Sequence, residues 1–358
     1  MHNCKKVSVL KVLTPFLPLD IFDRYFPQMK AIAEQCNEFH VVYSEGQPDP
    51  EWAECITFHM VKFPSWCPWY AKRLFGTDIV WKKIRHIEVD VYYSLSGIWS
   101  QHYTSHFALV SRKPYVLRLR GDYRADRYYQ HPIKRMLFDR VFRRSLHGLT
   151  LVIPIADKMK PVAMFYGTPK ERVTESIPNG IDVSMFKPIQ NCHSFTVGYI
   201  GRLSPEKGCY FLRHLMEATP DVNYLVAGQK SVKWKPPSNC NYLGRMEYEM
   251  TPNFYSLCDL VILPSYTEGF PNVLLEAYAC GKPVIGSPEA FPSKLVIYGW
   301  RLPLVINKWV EKIKWFRFNQ HVLKQIGEKA QNFAMNYSWN RFGEKMIKFF
   351  EQAIELER

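Results

Sequence analysis

The sequence lacks several signatures that would fix its class at once. Its nine cysteines never fall at C-x-x-C spacing, so neither a zinc ribbon nor a dithiol redox motif is written into it. No apolar run approaches the ~18–20 residues that span a bilayer, and the longest, such as residues 149–156, stop well short. The opening MHNCKKVSVLKVLTPF has basic residues before a short apolar stretch. It has no long apolar core and no small-residue cleavage site, so it reads as a first strand rather than a signal peptide. There is no low-complexity tract, no sequence repeat and no D-x-D element between strands. With 47% hydrophobic and 22% charged residues in 358, the chain is neither a disordered tail, a collagen-like chain nor a small disulfide scaffold. An odd number of scattered cysteines without a secretory leader fits reduced thiols in a cytosol.

What the chain has in excess is positive charge, +14 overall, unevenly spread. Residues 112–144 alone hold eleven basic residues against three acidic ones. Such a field favours anionic partners: phosphates, an acidic membrane surface or nucleic acid. It also fits a solvated surface with no partner.

The length suggests two domains. The first half alternates short apolar runs at 7–13, 39–44, 56–63, 90–95, 115–122 and 148–154 with longer amphipathic ones. Residues 27–36 are one such helix, with Met29, Ile32, Ala33 and Cys36 on one face. The second half restarts the rhythm. Strands are expected at 195–201, 222–228, 240–244, 259–265 and 283–287, and helices at 208–218, 250–258 and 273–281. Strands separated by helical segments predict parallel sheets with crossover helices, hence two doubly wound α/β halves. Turn formers in IPNGIDVSMFKPIQNCHS (177–194) mark the linker. Residues 308–358 read as helical, ending in a segment with Phe342, Met346, Phe349, Phe350 and Ile354 at helical spacing.

Three segments carry chemistry. In YIGRLSPEKG (199–208) a strand ends at Gly201, and Arg202 and Lys207 precede a helix. Both cations then lie at carboxyl ends of parallel strands, where open α/β sheets bind ligands. Arg offers a rigid fork of donors to phosphate and Lys a point charge; the bland reading is a polar loop facing water. In SYTEGFPNVLLEAYACGKPV (265–284) a strand is followed by Glu268 and a helix starting near Pro271–Asn272, with Pro suited to a first helical turn. The free N–H groups and positive dipole end of that helix can hold an anion. Glu268 and Glu276 would flank it, ready to accept hydrogen bonds from sugar hydroxyls. Otherwise Glu276 is a solvated helix residue and Glu268 a capping acid. The third segment is the Asn-Gly turn in SIPNGIDVSMFKP (176–188), which by itself is a linker.

Taken together, in this order and spacing, these segments resemble the retaining nucleotide-sugar glycosyltransferases of family 4. The resemblance implies a GT-B architecture, two Rossmann-like domains facing a central cleft. The implied division is an acceptor-binding domain over 1–186, a nucleotide-sugar domain over 187–336, and a final helix over 337–358 crossing back to the first domain. It further implies a metal-independent hexosyltransferase with no cofactor beyond its nucleotide-diphosphate sugar. The catalytic set would be Arg202, Lys207 and Glu268, with the cations on the diphosphate and Glu268 on the transferred sugar. Glu276 would hold the ribose. Gly201 and the backbone around Gly269, Phe270, Pro271, Asn272 and Val273 would lie near sugar and phosphate. Arg245 and Met246 would sit beside the base. No metal ligand and no protein nucleophile are assigned.

The sequence departs from the family pattern in three places. TPFLPLDIFDRYFP (14–27) lacks the Gly-Gly loop that often follows the first strand. PEAFPSKLVIYGWRLPL (288–304) stands where a glycine-rich segment is usual, so sugar selectivity does not carry over. Arg120, followed by Gly121 and Asp122, stands where a His-Gly pair is common. Arg cannot act as a base at neutral pH. Arg120 and Asp122 are therefore acceptor-side candidates, or simply a structural ion pair.

Basic and aromatic residues interleave over 65–86 and 127–148. That suits a bilayer interface with anionic lipid, or else the aromatics are core. The resulting expectation is a cytoplasmic transferase, peripheral at the inner membrane face, making polysaccharide, lipopolysaccharide or glycolipid on a glycan or lipid-linked acceptor. The competing expectation is a degenerate, non-catalytic GT-B protein binding an anionic polymer or nucleic acid. The set Arg202, Lys207, Glu268 and Glu276 argues for the enzyme, and nucleic acid is not expected as its partner.

Overall fold

A computed structural model of the chain describes residues 10–15, 25–63, 76–95, 97–121, 132–189, 194–291 and 298–358. The chain forms two units, Met1–Pro178 with Trp339–Arg358, and Asn179–Ser338. All eleven strands read from the sequence are present, with ends shifted by a few residues, and one more is added.

The first unit holds β1 (Lys11–Pro15), β2 (Glu38–Tyr43), β3 (Thr57–Met60), β4 (Val91–Ser94), β5 (Tyr115–Leu119) and β6 (Leu151–Pro154). They form one parallel sheet in the order β3-β2-β1-β4-β5-β6. Helices cover such a sheet on both faces, so its central strands are largely apolar; Val12, Leu13, Val91, Val116, Leu151 and Ile153 are fully buried. The last helix, Trp339–Leu356, belongs to this unit's core through Phe342, Met346, Ile347, Phe350 and Ala353. Phe349 and Ile354, expected on the same stripe, pack at its margin. Gly343 lets this helix lie against the backbone of the Phe26–Ala33 helix, since a Cβ there would run into the Ala31 carbonyl. Arg118, wholly buried, extends to the same helix: its guanidinium lies 4.6 Å from the centre of the Phe342 ring, and Nη2 donates to the Ile177 carbonyl at 3.1 Å.

The second unit holds β7 (Thr196–Ile200), β8 (Asn223–Ala227), β9 (Cys240–Tyr242), β10 (Leu260–Leu263), β11 (Val284–Gly286) and β12 (Gly299–Arg301). Its sheet is again fully parallel, in the order β12-β11-β10-β7-β8-β9. β12 was not expected: three residues at a sheet edge are too few to show a pattern. The linker also divides differently from the sequence reading. Residues 179–186 go with the second unit, because Ile181 pairs with Ser338 and its amide donates to the Tyr337 carbonyl at 2.8 Å, while Phe186 packs on Tyr248 and Tyr255. The C-terminal boundary falls after Ser338 rather than after residue 336. Among the described residues no helix is long and apolar enough to cross a membrane.

Candidate functional site

In the second sheet the strand order reverses between β7 and β10. Successive crossovers leave in opposite directions there and open a crevice at the carboxyl ends of those two strands, the usual ligand position in a doubly wound sheet. The loops that follow β7 and β10 carry the residues singled out in the sequence.

After β7 the chain passes Gly201 and Arg202 into a short 3-10 turn, Pro205–Lys207, then the helix Cys209–Glu217. Gly208 joins the two at φ 76°, in the left-handed region that favours glycine. A Cβ there would also collide with the Pro264 carbonyl at the end of β10. The Tyr266 amide donates to the Glu206 carbonyl at 2.8 Å, which laces the two loops together.

This lacing brings Lys207 onto Glu268. Lys207 Nζ lies 2.6 Å from Glu268 Oε2, with the two side chains 25% and 11% exposed. Ser265 Oγ donates to the other oxygen, Oε1, at 2.9 Å, and the buried Ser287 hydroxyl donates to the Ser265 carbonyl. Glu268 is therefore held through both oxygens and is not a capping acid. An ammonium has three N–H donors, so Lys207 keeps two after satisfying Glu268. Arg202 is more open, 59% exposed, with Nη2 3.6 Å from Glu206 Oε1; the Tyr199 hydroxyl donates to its carbonyl at 2.9 Å.

The helix after β10 runs Asn272–Ala279 with Pro271 at its N-cap, one position earlier than the first helical turn expected for it. No side chain caps this helix, so its leading N–H groups stay available. The side chain of Asn179, buried in the Asn-Gly turn, donates to Asn272 Oδ1 at 2.8 Å. That turn is thus fixed to the helix start and is more than a linker. Glu276 is not a solvated helix residue: it is buried, and Tyr255 donates to its Oε2 at 2.6 Å. Burial pushes the Glu276 carboxyl up to about 7, against the hydrogen bond from Tyr255, which pulls it down.

The loops after β8 and β9 complete the rim. The Gly228 amide donates to the Gly244 carbonyl at 2.7 Å, and Leu203 pairs with Lys230. Arg245 follows directly, its side chain 71% exposed and loosely facing Glu247 at 4.0 Å, with Met246 half-buried beside it. The sequence reading missed Lys230, whose Nζ rests 4.2 Å from the centre of the Tyr242 ring. It also missed Tyr255 and Ser265, which act only through contacts across 21 and 3 residues of chain.

In the first unit Arg120 lies at the end of β5 with its guanidinium 4.6 Å from the centre of the Tyr25 ring. Asp122 lies outside the described residues, so the Arg–Asp pairing has no structural account here.

Residues 182–333 match the family described as Glycosyl transferases group 1. Among curated proteins, the chain is 26% identical over 266 residues to an alpha-galactosylglucosyldiacylglycerol synthase from Streptococcus pneumoniae, covering 67% of this chain and 70% of the relative. Against several other curated relatives the chain spans about half their length. Among solved structures, Anabaena Alr3699/HepE in complex with UDP and glucose superposes with a TM-score of 0.73 at 17% identity, over 96% of this chain and 100% of that one. Sucrose-phosphate synthase from Thermosynechococcus elongatus gives 0.76 at 15% identity, over 97% and 100%. The fold is GT-B, with two six-stranded parallel sheets flanked by helices.

Proposed function

We propose that the chain, whose residues 182–333 match the family described as Glycosyl transferases group 1, is a retaining, metal-independent hexosyltransferase. It moves a sugar from a nucleotide-diphosphate donor to a glycan or lipid-linked acceptor in polysaccharide, lipopolysaccharide or glycolipid synthesis. The observation that carries this reading is the meeting of Lys207 and Glu268 at the β7/β10 crevice, with Arg202 beside them and the open N-terminus of the Asn272–Ala279 helix next in the chain.

In this reading Arg202 and the two free donors of Lys207 take the diphosphate. They supply the positive charge that a metal would otherwise bring as the leaving group departs. Glu268, locked by Ser265 and Lys207, has lone pairs left for hydroxyls of the transferred sugar. Gly201 and the backbone from Gly269 to Val273 line the sugar and phosphate positions, Glu276 receives the ribose, and Arg245 and Met246 border the base. Arg120 and Asp122 serve the acceptor. The lipid-synthase name of the pneumococcal relative and the UDP and glucose in the Anabaena structure support a lipid-linked acceptor and a nucleotide-sugar donor. We place the enzyme at the cytoplasmic face of a membrane, held peripherally by the basic first unit. Its helix Pro132–Arg144 ends in Arg143 and Arg144 and exposes Met136.

A thermal-shift panel of UDP, GDP, ADP and CMP in EDTA tests the reading. A ligand specific to the folded state at ~100 times its dissociation constant adds ~2.7 kcal/mol, a readable upward shift. One nucleoside diphosphate is expected to give it, and Arg202→Ala to abolish it. A flat panel, with or without added Mg²⁺, contradicts the reading.

A further inference from the structure

Among the described residues Glu276 is the one acidic side chain that is buried, at 7% exposure. A buried carboxylate is costly unless it is hydrogen-bonded. Its partner comes from a different element, the Thr251–Ser256 helix, where Tyr255 is completely buried and donates to Oε2 at 2.6 Å. Tyr255 is itself fixed by the rings of Phe254 and Phe186 at 5.6 and 6.1 Å. Among the described residues Oε1 has no protein hydrogen-bond partner, and it is not among the fully enclosed polar atoms left without one. One oxygen is anchored and the other is free.

Building on the donor-site reading above, we propose that Tyr255 is a positioning residue for the donor's ribose: by holding Oε2 it fixes the Glu276 carboxylate so that Oε1 is presented to the ribose hydroxyls. A hydroxyl pair on a ribose needs an acceptor with a fixed direction, and a carboxylate anchored through one oxygen is such an acceptor. The hydrogen bond also favours the ionised form that can only accept. The other titratable groups around Glu276 are Tyr248, from the turn before the Thr251–Ser256 helix, and Cys280, one turn along its own helix. Burial raises both, Cys280 to about 12, so neither changes charge near neutrality. The ligand's own terminal phosphate also titrates in this range, but it is shared by ribo- and 2′-deoxynucleotides, so a pH-dependence of the preference between them around 7 belongs to Glu276 and rises with pH, because the accepting form is the ionised one.

The test compares UDP, GDP and ADP with their 2′-deoxy counterparts by calorimetric titration between pH 5.5 and 8.5. Wild type is expected to prefer the ribonucleotide of its base by ~10-fold, the size of a hydrogen bond to a charged group. That preference should rise through about pH 7. Tyr255→Phe should cut the preference to below ~3-fold and move the pH midpoint upward by about one unit, since the bond that favoured the carboxylate is gone. Glu276→Gln should abolish both the preference and the pH-dependence, and the double variant should match Glu276→Gln alone. If Tyr255→Phe does not fold, 3-fluorotyrosine at position 255 keeps the shape and donates more strongly, so the midpoint should move down. A Tyr255→Phe protein with wild-type preference and midpoint overturns the proposal, as does a fluorotyrosine protein with an unmoved midpoint. Wild type that binds none of the three nucleotides overturns the donor-site reading itself, and the proposal falls with it.

Discussion

Lys207→Ala is expected to lower kcat/KM for sugar transfer by about 10²–10³-fold, the usual cost of removing one preorganised donor from a developing negative charge. Two effects combine. The diphosphate loses the two N–H groups that Lys207 does not spend on Glu268. Glu268, only 11% exposed, loses the cation 2.6 Å from Oε2 and keeps only the Ser265 hydroxyl on Oε1. A carboxylate left this way swings toward water or toward Arg202, and in either case leaves the place where it would meet the sugar. Glu268→Gln separates the two effects. It keeps the shape and the Ser265 contact while removing the charge, so nucleotide binding should stay close to wild type as turnover falls. Lys207→Ala should lose both. Steady-state kinetics with nucleotide Kd values on the three proteins check this. A Lys207→Ala enzyme within ~3-fold of wild type in kcat/KM would remove Lys207 from the site.

Gly208→Ala is expected to cost more than about 3 kcal/mol of stability, a size reserved for a few identifiable mechanisms. Two of them act here together. The backbone sits at φ 76°, strained for any L side chain, and the added methyl meets the Pro264 carbonyl, which is backbone and cannot rotate away. Relief requires the β7 loop to leave the end of β10, and that movement parts Lys207 from Glu268. Activity should therefore fall further than the folded fraction accounts for. Gly121→Ala is the matched control: among the described residues nothing lies within 4 Å of its Cβ position, so it should stay within about 0.5 kcal/mol. Urea denaturation midpoints of the three proteins test the pair. Equal midpoints for Gly208→Ala and wild type would mean that the close approach of the two loops is not a feature of the folded protein.

These two positions also mark how far the sequence could be read. The strands were legible because each is a short apolar run between turn formers, and the order in which they alternate with helices dictates parallel sheets. YIGRLSPEKG and EGFPNVLLEAYACGKPV could be placed at strand ends for the same reason. The contact between them could not. Lys207 and Glu268 are 61 positions apart in the numbering, and only the reversal of strand order between β7 and β10 makes them neighbours. Nothing near Gly208 in the sequence shows its constraint, because the carbonyl it must avoid belongs to Pro264, 56 residues later at the end of β10. Helical spacing alone does not decide whether Glu276 is a ribose acceptor or a solvated helix residue. Its burial depends on Tyr255 from another helix, and a tyrosine in an apolar stretch gives no sign that its hydroxyl has a carboxylate to serve. Arg118 was passed over for Arg120 for a related reason. Strand alternation puts both on one face, but only Arg118 meets the last helix, through Phe342. β12 was missed because an edge strand of three residues, Gly299–Arg301, has no periodicity to detect.

The choice between an active transferase and a degenerate GT-B protein rests on whether this site breaks a sugar–phosphate bond with retention and without a metal. Proton NMR of the protein with UDP-glucose, or with the α-linked sugar donor of whichever base the nucleotide panel selects, follows the anomeric signals directly in EDTA. The expected result is consumption of the donor with the α-anomer released first, unchanged by EDTA and absent in Arg202→Ala. Release of the β-anomer first, loss of turnover in EDTA, or wild-type turnover no greater than that of Arg202→Ala would contradict it.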